Sequence, residues 1–234
     1  MEIVFSKVTI DGKPLEKWHT QVSGKVLRIE PFPLAKVRYA FTREISVTED
    51  RDKRLALIRQ MDLLREPLTI YVFCIPLKQY IDVEKEIDAL EGKEVDMGEF
   101  PSLHIANMSQ TITLNLEANH FYDVFGFSGQ ILIGGGRVST GQGEVPFAIT
   151  LEEMKLLALK DLGVTLEEAK GIKAKIIPMT AWGCCGRFII AGLCLDPGRE
   201  TLDDHTIMVN HCCGIDYSHG YSKEGFLPFF KKKK

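Results

Sequence analysis

Long apolar runs are missing from this 234-residue chain. None approaches the roughly 18 residues that a membrane-spanning helix needs. The N-terminus, MEIVFSKVTIDG, is acidic at its second residue and lacks the basic start and apolar stretch of a signal peptide. The expectation is therefore a cytoplasmic chain, where structural disulfides are rare and cysteines are thiols or metal ligands. An excess of one charge is missing too. Lys+Arg number 29 against 32 Asp+Glu, a formal net charge of −3. Residues 1–100 carry 16 and 18 of them, and residues 101–234 carry 13 and 14. No nucleic-acid partner and no membrane is expected from so even a distribution. The terminal lysines 231–234 read as a solvated end, because no aromatic residue interleaves with them. Internal repeats and low-complexity stretches are absent, which sets aside solenoids and disordered tracts. Standard metal spacings are also wanting: there is no C-x2-C knuckle, no H-x3-H and no ferredoxin-type cysteine run.

What remains is an ordinary globular composition, 45% apolar and 26% charged. The length is enough to bury a core without staples. Residues 1–10 and about 25–47 alternate apolar and polar, the period of half-buried strands. EDRDKRLALIRQMDLLRE then takes helical spacing, with a stripe of Leu55, Ile58, Met61 or Asp62, and Leu64 or Arg65, until Pro67 stops it. LTIYVFCIPL, 68–77, is continuously apolar, β-branched and aromatic, as a buried strand is. Asp82 opens a helix that closes at Gly92. SLHIANMSQTITLNLEANH reads as one or two strands, and a glycine-rich stretch covers 126–143.

Thr150 with Glu153 forms a capping box for a helix ending on Gly163, and Thr165 with Glu168 forms another for a short helix. KAKIIPMTAW, GRFIIAGLCLD and HTIMVNHCC follow as strand-like runs. The sum is α+β: mixed, largely antiparallel sheets, four helices packed on one side, and a strand-rich C-terminal half. A division into 1–98 (β-β-α-β-α) and 99–234 (Gly-rich, then Cys/His-rich) is expected, or else one continuous domain.

Five of the six cysteines and three of the six histidines lie between residues 184 and 219. Thiolates and imidazoles are the ligands of zinc and of iron–sulfur clusters, so Cys184, Cys185, Cys212, Cys213 and His211 are metal candidates. The same residues suit nucleophilic thiol chemistry. A catalytic cysteine needs a depressed pKa and backbone N–H groups to hold an oxyanion, and glycine-flanked cysteines at a turn expose both. Cys185, Cys212 and Cys213 are the candidate nucleophiles, with His211 or His219 as base. Adjacent cysteines in a strand point to opposite faces, so both of a pair converge only where Gly183, Gly186 or Gly214 lets the chain bend. Cys74 and Cys194 read as core, since free cysteine behaves as a small hydrophobe.

The glycine stretch supplies a second candidate. Backbone N–H groups at Gly135 and Gly136, the Arg137 guanidinium, and the hydroxyls of Ser139 and Thr140 could hold an anion in a loop at 134–143. No Walker loop or dinucleotide fingerprint accompanies it, and a glycine-rich hairpin is the structural alternative. His104, and His120 with Tyr122 and Asp123, could complete a pocket.

Together these features point to a cytoplasmic enzyme acting on a small anionic ligand, its pocket lying where 134–143 meets the C-terminal sheet. Two other readings stay open. One is a zinc or iron–sulfur protein using the same cysteines. The other is a non-catalytic homo-oligomeric assembly module, with the GFLPFF tail docking on a partner subunit.

Overall fold

A computed structural model describes residues 2–5, 9–10, 13–14, 18–79, 93–142, 150–183, 186–195, 205–210 and 216–219. In chain order these form β1 (Glu2–Phe5), β2 (Thr9–Ile10), β3 (Lys13–Pro14), β4 (Trp18–Ser23), β5 (Val26–Ile29), α1 (Leu34–Val47), α2 (Arg51–Leu63) and β6 (Leu68–Pro76). There follow β7 (Glu94–Asp96), β8 (Leu103–Asn107), β9 (Ile112–Asn115), β10 (His120–Ser128), β11 (Ile131–Ser139) and α3 (Leu151–Leu162). The last strands are β12 (Lys173–Gly183), β13 (Gly186–Leu195), β14 (His205–Asn210) and β15 (Asp216–His219). Every strand pairing among the described residues is antiparallel. The mixed α+β class with antiparallel sheets is thus observed.

The chain divides into two compact units, each discontinuous in sequence: Met1–Gln79 with Ser102–Val145, and Tyr80–Pro101 with Pro146–Lys234.

The first unit holds two four-stranded sheets, ordered β1-β4-β5-β9 and β11-β10-β6-β8. The short link from β8 to β9 joins them at one edge, and β1 runs alongside β11 at the other. Their shared core contains Leu27 and Ile29 of β5, Leu68, Ile70, Val72 and Cys74 of β6, and Tyr122 and Val124 of β10. The expected strand at 68–77 is therefore β6, and it is buried on both faces. Its alternate residues Tyr71 and Phe73 pack edge-on against Phe127 and Phe125, with ring centroids 5.5 and 6.1 Å apart.

The helices correct two expectations. Residues 34–47 are helical, not extended. Leu34, Val37, Phe41 and Ile45 make the core-facing stripe at i, i+3, i+7 and i+11, with Val37 and Phe41 fully buried. The strand-like alternation counted Tyr39 and Val47, which are exposed. In α2 the stripe is rotated from the expected one. Leu57 and Leu64 are buried and Met61 packs on the core, while Leu55 faces solvent. Asp50 caps α2, its side chain accepting from the Lys53 amide at 2.7 Å.

The second unit holds a five-stranded sheet, ordered β15-β14-β13-β12-β7, and helix α3. The Thr150–Glu153 capping box and the left-handed Gly163 (φ 71°) start and stop α3 as read from the sequence. The second capping box also forms, with Thr165 and Glu168 bonding reciprocally, but 166–171 is a succession of turns instead of a helix. Three α-helices, not four, are present among the described residues, and they are shared between the two units. The helix expected at 82–92 lies outside the described residues.

Inside this unit α3 carries a buried lysine. Lys155 Nζ donates to the carbonyls of Glu99 and Asp96, the latter at 3.1 Å, and sits 4.7 Å from the Phe100 ring centre. It thereby ties the turn after β7 to the helix. Gly98 in that turn lies so close to the chain at Ala169 and Lys170 that a Cβ would meet Lys170 Cα at 2.6 Å. Burial lowers the Lys155 pKa from its usual 10.5, against the opposing pull of Glu152, Glu99 and Asp96. Between the lowered value and 10.5 the unfolded chain binds the extra proton, so stability rises with pH across that window. Burial also lowers the Lys160 pKa, with the same sign. Lys155→Met should accordingly flatten, without abolishing, the rise in stability as pH increases toward 10.5, as read from urea midpoints at successive pH values.

Candidate functional site

Of the ligand-binding residues expected in the first unit, Gly135, Gly136, Arg137 and Ser139 lie on a strand, not in a loop, and Thr140 follows it. The segment expected as a loop at 134–143 is extended through Ser139, because Ile131–Ser139 pairs with β10 along its length. The hairpin turns at Gly129, which has φ 57°, and its register shifts between Gly126 and Phe127. Gly135 is required by packing: a Cβ there would lie 2.9 Å from the Val124 carbonyl oxygen and 3.2 Å from the Phe125 ring. The register sets Asp123 directly opposite Arg137.

Arg137 makes a two-pronged contact with that carboxylate. Its Nε donates to Oδ1 and its terminal NH2 donates to Oδ2 at 2.9 Å, with only 9% and 2% of the two side chains exposed. The guanidinium also stacks 5.0 Å from the centre of the Phe121 ring. A planar fork against a carboxylate is the strong form of an ion pair, and burial makes each partner depend on the other.

Ser139 and Thr140 are engaged in the same way. The Ser139 hydroxyl accepts from the Gly141 amide at 3.2 Å. The Thr140 hydroxyl donates to the Glu117 carbonyl and accepts from the His120 amide at 3.1 Å. His120 Nδ1 lies 2.8 Å from the Ala118 carbonyl, and its Nε2 lies 3.5 Å from the Glu117 carboxylate. The arrangement pins the start of β10 to the end of β11. His104, on β8, is exposed.

Cys74 and Tyr122 face each other across the β6–β10 ladder and share a hydrogen bond inside the core. Tyr122 Oη also accepts from the Glu117 amide at 2.7 Å. Burial, reinforced by the bond to Cys74, pushes the Tyr122 pKa up to about 12. Burial likewise raises the Cys74 thiol, outweighing the Tyr122 hydrogen bond that lowers it. A thiol raised above its usual range holds little thiolate near neutrality, so Cys74 is core and not a nucleophile. Sequence reasoning did not connect Asp123 with Arg137 or Cys74 with Tyr122. The first pair was detectable, because the two residues stand nearly symmetrically about the Gly129 turn.

The cysteine candidates belong to the second unit. Cys184, Cys185, His211, Cys212 and Cys213 lie outside the described residues, but the strand ends flanking them are placed. β12 and β13 pair until Gly183 faces Gly186, and β14 and β15 pair until Asn210 faces Asp216. β13 and β14 are neighbours, with Ile190 opposite Met208. Continued, that register sets Asn210 opposite Phe188, two residues from Gly186. The strand ends flanking both Cys-Cys-Gly stretches thus lie at one end of one sheet. His219 is three residues along β15 from that end, roughly 10 Å away at strand rise. His205 opens β14 at the opposite end, opposite Leu193. Among the described residues no group of His, Cys, Asp and Glu side chains is arranged to hold a metal ion. No helix among them is long and apolar enough to cross a membrane.

Because Arg137 and Asp123 are buried together, Arg137→Ala should cost about 3–5 kcal/mol by leaving a carboxylate unpaired, and Asp123→Leu with Arg137→Met should recover most of the loss. Chemical denaturation of the three proteins measures this; a loss near the ~0–1 kcal/mol of a solvated pair would show that the two are not buried together. No protein-family model matches the chain, and no curated protein or solved structure does either.

Proposed function

We propose that the protein is a cytoplasmic thiol enzyme acting on a small molecule, with its site at the Gly183/Gly186 end of the five-stranded sheet. One observation supports this reading above the others. Two adjacent hairpins, β12–β13 and β14–β15, end side by side where the sequence supplies four cysteines and a histidine. Cys185, Cys212 and Cys213 are the nucleophile candidates, and His211 is the base. His211 is preferred to His219 because β15 carries the latter three residues back from the sheet end. The backbone N–H groups of a glycine-flanked turn would hold a developing oxyanion. Arg137 is left out of this site, since its guanidinium is engaged by Asp123.

The same convergence favours a second reading, a zinc or iron–sulfur site. Four thiols and an imidazole, adjoining those strand ends in sequence, would make a soft donor set of the kind those metals take.

Alkylation with iodoacetamide, followed residue by residue by mass spectrometry across pH, separates the readings. The enzyme reading expects one of Cys185, Cys212 and Cys213 to label well below the usual thiol pKa of about 8.5, with Cys74 silent until the chain unfolds. His211→Ala should return that labelling to the usual range. Labelling of all three only at ordinary thiol pH would overturn the nucleophile. Stoichiometric zinc or iron by elemental analysis, with labelling released only by a chelator, would establish the metal reading instead.

A further inference from the structure

Of the five large apolar side chains exposed among the described residues, four lie on α1 and α2: Tyr39 (71%), Val47 (67%), Leu55 (42%) and Leu63 (55%). Core packing does not account for them, because each helix already buries another stripe, Val37 and Phe41 on α1 and Leu57 on α2. Their spacing is regular. Tyr39, Arg43 and Val47 stand at i, i+4 and i+8 on α1, and Leu55, Arg59 and Leu63 do the same on α2. Residues four apart are neighbours on a helix surface, so each row is a continuous ridge. On a helical projection each ridge points away from the buried stripe of its own helix.

The two helices pack on each other. Arg54 donates to the Thr48 carbonyl at 2.9 and 2.6 Å, and the Thr42 hydroxyl lies 3.8 Å from Met61 sulfur. The two ridges therefore belong to helices in contact, each pointing away from its own buried stripe. Each carries one arginine between two apolar residues. Among the described residues no hydrogen bond or ion pair engages the guanidinium of Arg43 or Arg59, whereas the side chains of Arg54, Arg65 and Lys53 all have partners on or beside these helices.

We propose that this paired ridge is a docking surface for an acidic, amphipathic helix of a partner protein. Apolar side chains of such a helix would lie in the trough between the ridges, and its carboxylates would pair with Arg43 and Arg59. Exposed arginine and tyrosine beside aliphatic groups is the composition of interface cores. Charge decides the occupant. An extended phosphate or anionic-lipid surface would meet the exposed carboxylate of Asp52 on α2, whereas a helix can place its own carboxylates clear of it; Asp62 is already engaged by Arg65. This surface is independent of the cysteine site and stands or falls apart from it.

The test uses the full chain and a fluorescent synthetic helix of leucine and glutamate, with a lysine-for-glutamate version as control. The Glu/Leu helix should bind in a salt-sensitive manner while the Lys/Leu helix does not. Arg43→Glu with Arg59→Glu, and separately Leu55→Ser with Leu63→Ser, should each weaken binding by about tenfold or more, at unchanged melting temperature. Arg43→Lys with Arg59→Lys should keep most of it. Equal binding of both helices, absence of binding, or indifference to these substitutions would overturn the proposal. So would self-association abolished by Leu55→Ser with Leu63→Ser, which would assign the ridge to a second copy. Sedimentation with phosphatidylserine vesicles that the same variants lose would assign it to lipid, and would also overturn the proposal.

Discussion

Burial of both faces of the β6–β10 ladder is the constraint from which the rest of the first unit follows. Residues from Leu68 to Ile75 and from Phe121 to Ser128 are almost entirely shielded from water. One face joins the common core through Ile70, Val72, Cys74, Tyr122 and Val124; the other presents Tyr71, Phe73, Phe125 and Phe127. A strand in this position cannot alternate apolar and polar, which explains the unbroken hydrophobic run of β6. It also explains the glycines of β11. With phenylalanines filling the space above β10, the neighbouring strand must give up side-chain volume, and Gly135 is where the ring of Phe125 and the carbonyl of Val124 leave no room for a Cβ.

Polar groups survive in such a place only when matched. Asp123 sits among those rings, and Arg137 answers it from the adjacent strand with two hydrogen bonds and a stacked contact on Phe121. Tyr122 satisfies its hydroxyl with Cys74 and the Glu117 amide. In the second unit Lys155 reaches two carbonyls and an aromatic face. Matching of this kind has a chemical consequence. An arginine held by a buried carboxylate is a costly anion receptor, since a ligand must first displace its partner, and a thiol raised by burial is a poor nucleophile. Reactivity is therefore better sought among groups that the fold leaves at strand ends, and the sheet end beside Gly183, Gly186 and Asn210 is where the cysteines attach.

Legibility of the sequence tracks how local each determinant is. The Thr150–Glu153 capping box with Gly163, the continuous run of β6 and three of the four C-terminal strands, β12 to β14, are written in consecutive residues and are readable, whereas the short β15 is not. The Thr165–Glu168 box was readable as a cap, yet the chain makes turns after it, because a cap satisfies amides without supplying a helix to propagate. Of the candidate site, the density of thiols and imidazoles was visible, and so was the bend that glycines permit. The common sheet end was not visible, because it depends on the β13–β14 register across a connection of nine residues, 196–204. The Asp123–Arg137 pair was hidden by the same kind of non-local information, although the glycine turn between its members held a clue.

The misreading of α1 is informative in its own right. KVRYAFTREISV alternates because Tyr39 and Val47 intersperse with Val37, Phe41 and Ile45, and only the latter three serve the core. A helix selected for folding alone would place polar residues at 39 and 47, and period 3.6 would then have been unmistakable. The stripe of α2 was misplaced for the same reason, since Leu55 drew the reading toward the solvent face. In both helices the residues that obscure the helical signal are the exposed apolar ones, and they alternate with Arg43 and Arg59, whose guanidinium groups no carboxylate engages among the described residues. An apolar residue at an exposed position gains nothing from the fold and carries a cost in solubility, so a regular set of them on two packed helices calls for a use outside this chain's own core. The pattern that defeated the strand–helix distinction is the same pattern that marks the surface for a partner.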